Sequence, residues 1–267
     1  MAHRYFVWVG CTTGGFECVR DRLHRRNRES PHHLQRRSAT APVDSLILRP
    51  RLTAIRGLAE TLEQSTEISA TTRTELASAI RGQAEELHRL MTNLLDLARM
   101  QSSGVRLNKE WHSLDEIVGS ALARLGTALE KRWVRIGLPD DLPLIEVDAS
   151  LIERGLANML DNALKYTSTD ATIFIGAKAV GETMYFFLED DGPGLPASDP
   201  EKLFEPFVRG QKESSISGVG LGLALCRSII NAHGGTIRAE QRTPTGARFD
   251  IRLPLGSPPE IEKESAA

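Results

Sequence analysis

Residues 156–167 read Leu-Ala-Asn-Met-Leu-Asp-Asn-Ala-Leu-Lys-Tyr-Thr, and this stretch decides how the rest of the chain is interpreted. Its apolar spacing predicts a helix, on which Asn158 and Asn162, four positions apart, lie on one face. A buried amide needs hydrogen-bond partners, so the pair indicates either a binding site or an ordinary polar helix surface. Two glycine-rich segments further along the chain favour the binding site.

The bulk composition is that of a globular protein. The 267 residues suffice for one large or two small domains, and the contents of 40% hydrophobic and 25% charged residues are ordinary. A net charge of −2 gives no reason to expect general attraction to nucleic acid or to a membrane surface. The cysteines (Cys11, Cys18 and Cys226) have neither metal-ligand spacing nor a disulfide framework. Without an apolar run of about 20 residues to span a bilayer, we expect a cytoplasmic protein.

The first part of the chain divides into an irregular segment and a helical one. Residues 1–44 are rich in arginine and histidine without a lasting period, so we expect a disordered or non-homologous segment, with a basic interaction arm as the alternative. Residues 46–63 and 70–100 have the spacing of amphipathic helices, so residues 45–103 are predicted to form a helical hairpin. A lone hairpin buries its apolar stripe poorly, which favours a four-helix bundle with a second copy over an intramolecular bundle.

Residues 104–256 alternate between strand and helix patterns, and residues 257–267 form a polar tail. Ser113 with Glu116 predicts a capping box at the start of one helix, and Asp148 or Ser150 can cap the next. The predicted strands are 105–111, 133–137, 144–147, 172–179, 184–190, 236–242 and 247–253, and the predicted helices end near residues 125, 166 and 232. This order predicts an α+β fold with the helices on one face of a sheet.

Two glycine-rich segments have features of a ligand site. Residues 190–194, Asp-Asp-Gly-Pro-Gly, follow a strand, where the aspartate can accept a hydrogen bond from an exocyclic amine and the glycines allow a flat ligand to approach. Residues 218–222, Gly-Val-Gly-Leu-Gly, lead into a helix whose first amides and dipole favour phosphate. Each segment alone also fits a plain turn or flexible loop. Between them, Phe204 and Phe207 predict an anchor for a mobile lid, or a local hydrophobic cluster.

In this order and spacing, the asparagine pair and the three later segments resemble the N, G1, F and G2 boxes of two-component sensor histidine kinases. The resemblance covers about residues 45–255, with the hairpin as the dimerisation domain. Residues 99–102, 108–111, 116–122 and 209–214 are similar to the kinase end of the potassium-responsive Kdp-type sensor kinases. The resemblance implies an α/β-sandwich ATP-binding domain of the histidine kinase, Hsp90 and topoisomerase type.

The resemblance also implies a Mg²⁺·ATP site. Asn162 would ligate Mg²⁺, Asn158 would help to hold the phosphates or the metal, and Lys165 would offer charge to the phosphates. Tyr166 would pack on the nucleotide, and Asp190 would accept a hydrogen bond from the adenine amine. The other ATP-site residues implied by the boxes are Gly192, Gly194, Phe204, Phe207, Arg209, Gly218, Gly220, Leu221 and Gly222.

ATP hydrolases such as type II topoisomerases and Hsp90-like chaperones share this fold. In those proteins a glutamate one turn before the metal-binding asparagine activates water. This chain has Asn158 there, and a carboxamide cannot act as a general base. The residue therefore favours a kinase over a hydrolase.

The phosphoacceptor motif departs from the family pattern. Sensor kinases have Ser-His-(acid)-Leu-Arg-Thr-Pro-Leu-Thr, whereas residues 45–53 read Ser-Leu-Ile-Leu-Arg-Pro-Arg-Leu-Thr. Leu46 therefore replaces the acceptor histidine, Ile47 the acid and Pro50 the threonine. Leucine has no lone pair that could attack a phosphoryl group, so self-phosphorylation at this position is excluded.

The other histidines do not replace the missing acceptor. His32 and His33 lie in sequence without a helical period, and His88 lies on the polar side of the second helix. Because the break adjoins residues 1–44, we hypothesise a truncated or frameshifted gene product. Comparison of the three reading frames around codon 46 tests this, and the absence of an intact histidine pattern from all three would contradict it.

The sequence thus predicts a sensor histidine kinase transmitter region that binds Mg²⁺·ATP for transfer to histidine and onward to a response regulator. The predicted partners are a second copy of the chain through residues 45–101, the response regulator, and an intact sensor kinase. The alternative is a non-catalytic nucleotide-binding and dimerisation module that modulates an intact kinase.

Overall fold

A computed structural model describes residues 6–7, 48–64, 68–101, 106–195, 199–208 and 218–256. These residues fall into two compact units, one within Gly10–Leu87 and one within Met1–Val9 and His88–Ala267. In the ranges that the structure describes, no helix has the length and apolar character needed to cross a membrane. The polar tail and most of residues 1–44 lie outside the described residues.

The predicted hairpin corresponds to two helices, α1 (Arg49–Gln64) and α2 (Ala70–Gln101). Pro50 lies in the first turn of α1, where its missing amide would have had no helical partner. The unit boundary falls within α2. None of the residues of α1 is buried, and Leu52 of its apolar stripe is 51% exposed.

The second unit alternates strands and helices, as the sequence predicts. A short strand, β1 (Phe6–Val7), belongs to it, although no element was predicted there. The later elements are β2 (Glu110–His112), α3 (Leu114–Leu125), β3 (Trp133–Gly137), β4 (Ile145–Val147), α4 (Ala149–Tyr166), β5 (Thr172–Val180), β6 (Thr183–Asp190), α5 (Gly222–Ala232), β7 (Thr236–Gln241) and β8 (Ala247–Pro254). Short 3₁₀ helices cover Gly126–Leu129 and Pro200–Phe204.

The main sheet has six strands in the order β1-β3-β5-β6-β8-β7. The pairs β1–β3 and β3–β5 are parallel, and the remaining pairs are antiparallel. The strands β2 and β4 form a separate antiparallel pair. A strand of two residues is too short to show a period, so no hydrophobic pattern predicts β1.

One face of the sheet forms the core with the apolar faces of α3, α4 and α5. Burial alternates along the strands, as expected for a sheet covered on one side. The buried strand residues include Ile173, Ile175, Met184, Phe186, Leu188, Phe249, Ile251 and Leu253. The α+β prediction, with helices on one face, is therefore confirmed.

The helix caps are partly those expected. The side chain of Ser113 accepts from the amide of Asp115 at 3.2 Å and so caps α3. For α4 the cap is Asp148, which accepts from the amide of Leu151 at 3.3 Å, whereas the hydroxyl of Ser150 donates to Asp148 itself. Asp148 thus fixes the first turn of the helix that contains the asparagine pair.

A buried histidine joins the end of α5 to the start of α4. His233 is 2% exposed, and its Nε2 accepts from the amide of Asp148 at 3.0 Å. Its Nδ1 lies 2.8 Å from the carbonyl oxygen of Ile229. Burial lowers the pKa of His233 below its usual value of 6.5. The neutral ring with its proton on Nδ1 satisfies both contacts, whereas a proton on Nε2 would face the Asp148 amide.

His233 should make folding sensitive to mild acid. Because its pKa is lower in the folded than in the unfolded chain, the unfolded chain binds the proton more readily as the pH falls below 6.5. The free energy of unfolding should therefore decrease over this window, and urea unfolding between about pH 8 and about pH 5 measures it. The substitution His233→Gln should remove this part of the pH dependence, and His112→Gln should retain it. An unchanged pH dependence in His233→Gln would contradict the assignment.

Candidate functional site

A cavity of about 390 Å³ lies in the second unit, against α4 and the start of α5. Such a volume suits a small-molecule ligand. Among the described residues, its walls consist of Arg89, Leu90, Asn93, Asn158, Asp161, Asn162, Ala163, Lys165, Tyr166, Asp190, Pro193, Gly194, Leu195, Leu203, Val208, Gly218, Val219, Gly220, Leu221, Gly222, Leu223, Ala247 and Phe249.

Ten residues that the sequence predicted for an ATP site line this one cavity. They come from α4, from the end of β6 and the loop after it, and from the segment that leads into α5. These ten are Asn158, Asn162, Lys165, Tyr166, Asp190, Gly194, Gly218, Gly220, Leu221 and Gly222. The fold therefore brings together residues more than 60 positions apart in the sequence.

The other predicted site residues have different positions. Gly192, Phe204 and Phe207 are not among the lining residues, and Arg209 and Leu46 lie outside the described residues. Buried Phe204 packs edge-on against the lining residue Phe249, with ring centroids 6.4 Å apart. The structure thus gives it a supporting position behind the wall.

The segment around Phe207 supports the wall through its backbone. Phe207 is 42% exposed, and its amide donates to the carbonyl oxygen of Gly220 at 2.9 Å. Gly220 has a φ of +73°, and a Cβ there would lie 2.4 Å from the carbonyl oxygen of Val208. Only glycine suits this position, because an added methyl group would collide with rigid backbone.

Asn158 contains an unsatisfied hydrogen-bond donor. The residue is 8% exposed, and its Nδ2 atom is buried without a partner among the described residues. Gly222, the first residue of α5, packs against it, since a Cβ there would lie 3.7 Å from its side chain. An unpaired buried amide costs stability, so its presence indicates a group that a ligand satisfies.

Asp190 provides an acceptor at the end of β6. It is 5% exposed, and its Oδ1 accepts from the amides of Gly192 at 3.0 Å and Ala247 at 3.3 Å. Burial raises the pKa of Asp190 above its usual value, although these two amide hydrogen bonds act in the opposite direction. Its Oδ2 accepts from neither amide and can therefore accept from a donor on a ligand.

A charge cluster lies next to the asparagines on α4. Asp161 accepts from Lys165 Nζ at 2.7 Å and also forms an ion pair with Arg89, so two cations share one carboxylate oxygen, Oδ2. The sequence did not single out Asp161, although its spacing of four from Lys165 was a usable signal. It gave no signal for Arg89 and Asn93 of α2 or for Ala247 and Phe249 of β8, because tertiary packing and strand order bring them to the cavity.

The unsatisfied amide predicts that Asn158 reduces the stability of the ligand-free protein. Asn158→Leu removes the buried donor at similar volume and should raise the free energy of unfolding by about 1 kcal/mol. Asn162→Leu is the matched control, because no orphaned atom was found on that side chain, and it should not stabilise the protein. Urea unfolding of the variants without ligand measures both. A loss of stability in Asn158→Leu would show that its amide has a partner.

Comparison with known proteins identifies the domain around the cavity. Residues 147–257 match the family described as Histidine kinase-, DNA gyrase B-, and HSP90-like ATPase. This range contains all the lining residues named above except the three from α2.

A longer relative indicates which proteins with such a domain the chain resembles. The chain is 44% identical over 229 residues to the sensor protein KdpD of Escherichia coli (strain K12), a match over 86% of this chain and 26% of KdpD. The chain thus spans about a quarter of the length of that relative.

Two solved structures have a similar fold. The histidine kinase AdeS of Acinetobacter baumannii has a TM-score of 0.64 and 24% identity, over 79% of this chain and 98% of that chain. Full-length ShkA in complex with AMPPNP has a TM-score of 0.61 and 26% identity, over 79% of this chain and 44% of that chain. Over most of its length, the chain is therefore similar to sensor histidine kinases. Within that class, it resembles the C-terminal transmitter region of the Kdp-type sensor kinase.

Proposed function

We propose that the cavity binds Mg²⁺·ATP for phosphoryl transfer to a histidine. The observation that carries the proposal is the buried Nδ2 of Asn158, which has no partner among the described residues and belongs to a cavity that the acceptor Asp190 also lines. A nucleotide offers both complementary groups, since its phosphates are acceptors and its adenine amine is a donor. The similar fold of ShkA, which was solved with AMPPNP, supports the same ligand class.

Each end of the nucleotide would have its own set of residues. Asp190 would accept from the adenine amine, and Tyr166 would pack on the nucleotide. Asn158 and the glycines of residues 218–222 would hold the phosphates, because the first amides of α5 and its helix dipole favour negative charge. Because the glycines have no side chains, the phosphates can approach the backbone of this segment closely.

Asn162 would ligate Mg²⁺ through its amide oxygen. Oxygen is the ligand type that Mg²⁺ prefers, and Mg²⁺ is commonly bound by few protein groups together with substrate phosphates. The bound metal would supply charge stabilisation between the phosphates during transfer. Asn162 lines the cavity one helical turn after Asn158, as this division of roles requires.

The residues around the proposed phosphate position favour transfer to a protein group over hydrolysis. Asn158 occupies the position at which related hydrolases have a glutamate, and an amide cannot deprotonate water.

The acceptor would be a histidine of another protein, because Leu46 occupies the usual position. The chain would pair through residues 45–101 with a second copy or with an intact sensor kinase, and a response regulator would receive the phosphoryl group. The absence of fully buried residues from α1 supports such pairing, because the described residues leave its apolar stripe half-buried or exposed. A non-catalytic module that modulates an intact kinase is the alternative.

Loss of the proposed metal ligand should weaken nucleotide binding. We expect Asn162→Ala to reduce the affinity for Mg²⁺·ATP by at least about tenfold, because one of few protein ligands is lost. Isothermal titration calorimetry with and without Mg²⁺ measures this. Asn231→Ala, an exposed asparagine outside the cavity, is the matched control. Equal affinities for the wild type and Asn162→Ala would contradict the metal assignment.

Restoring the acceptor motif should restore self-phosphorylation. With γ-labelled ATP, the wild type should acquire no acid-labile label, whereas the double variant Leu46→His with Ile47→Glu should acquire it. Leu46→Gln with Ile47→Glu, which has a polar group but no imidazole, is the control. Acid-labile label on the wild type would show a different acceptor histidine, and release of free phosphate by all the proteins would show hydrolysis instead.

A further inference from the structure

The cluster of Asp161, Arg89 and Lys165 lies within the proposed nucleotide site. All three side chains line the cavity, and each is between 23% and 33% exposed. Asp161 shares the cavity wall with Asn158 and Asn162, the proposed phosphate and metal ligands on the same helix. Its Oδ2 accepts from both cations, which is also how a phosphate oxygen would be held.

The charges of the cavity are balanced in this arrangement. Within the described part of the lining, the charged residues are Arg89, Lys165, Asp161 and Asp190. Asp190 accepts from two backbone amides at the end of β6. Arg89 and Lys165 are the described lining cations, and they could therefore bind phosphate. As long as Asp161 holds both, an incoming polyphosphate meets a neutralised pair of cations and a neighbouring negative charge.

We propose that Asp161 occupies the phosphate position of Arg89 and Lys165 in the nucleotide-free protein, and that nucleotide phosphates displace it. Arg89 thereby becomes a phosphate ligand contributed by α2, from outside the range that matches the ATPase family. The inference rests on the proposed nucleotide site. It adds Arg89 as a residue that raises the affinity for the phosphates, and Asp161 as a carboxylate that lowers this affinity by competing with them.

A second ion pair keeps this segment of α2 against α4 while Arg89 changes its partner. Arg154 of α4 binds Asp96 of α2, and the Asp96 side chain is only 7% exposed. Neither residue lines the cavity. The ion pairs Arg89–Asp161 and Arg154–Asp96 thus both join α2 to α4, but only the first lines the cavity. Substitution of Arg154 is therefore a matched control for substitution of Arg89.

If phosphates displace Asp161 from Arg89, substitutions of these two residues should change the affinity for ATP in opposite directions. Asp161→Asn keeps the shape of the side chain but removes the competing charge, so it should tighten ATP binding about threefold to tenfold. Arg89→Gln should weaken ATP binding by a similar factor. Both variants should bind adenosine as the wild type does, because adenosine lacks phosphates. Arg154→Gln should leave the ratio of ATP to adenosine affinity unchanged.

Calorimetric titrations of the four proteins with ATP and adenosine, with and without Mg²⁺, at constant ionic strength test the inference. Wild-type adenosine affinity in each variant shows that the cavity is intact. Weaker Mg²⁺·ATP binding by Asp161→Asn, with Mg²⁺-free ATP unaffected, would make Asp161 a metal ligand and overturn the inference. Unchanged ATP affinity in Asp161→Asn, or equal losses in Arg89→Gln and Arg154→Gln, would also overturn it. Failure of the wild type to bind any nucleotide would overturn this inference and the proposed function together.

Discussion

A cavity that places a few polar groups against an apolar core is the constraint on which the structure of the second unit depends. The buried apolar residues of α4, among them Leu156, Met159 and Leu160, pack against the core and fix the rotation of the helix. That rotation leaves Asn158 buried at the cavity wall, with no partner for its Nδ2 atom in the part of the chain that the structure describes. The backbone of the segment that leads into α5 passes so close to the backbone of Val208 that only a glycine fits at Gly220. The helix α4 thus determines both how the core packs and which polar groups line the cavity.

Local patterns in the sequence predicted most of this arrangement. Strand β3 has the predicted bounds, and Asp148 caps α4 as one of two expected candidates. Residues that a motif places on one helix face or one loop, such as Asn158 and Gly220, could be predicted because short-range geometry determines their positions. Arg89 could not, because its position depends on how α2 packs against α4. The supporting position of Phe204 was also beyond prediction, since it depends on the register that brings Phe249 beside it.

The proposed nucleotide site and the acceptor motif differ in how closely they resemble those of sensor histidine kinases. The cavity has the asparagine pair, the aspartate at the strand end and the glycines before α5 together in one place. At the acceptor position the chain has Leu46, a residue without phosphoryl-accepting chemistry. Under the proposed function, a chain with this combination would bind nucleotide and depend on another protein for its histidine. The asparagine pair and the charge cluster beside it would then carry the part of that function that the chain performs by itself.

The most direct test of this account is a crystal structure of the full chain with Mg²⁺ and a non-hydrolysable ATP analogue. The account predicts the adenine amine within hydrogen-bond distance of Asp190 and a phosphate oxygen accepting from Nδ2 of Asn158. It also predicts the metal on the side-chain oxygen of Asn162. An analogue bound elsewhere, or bound in the cavity with the Asn158 amide still unpaired, would contradict the account.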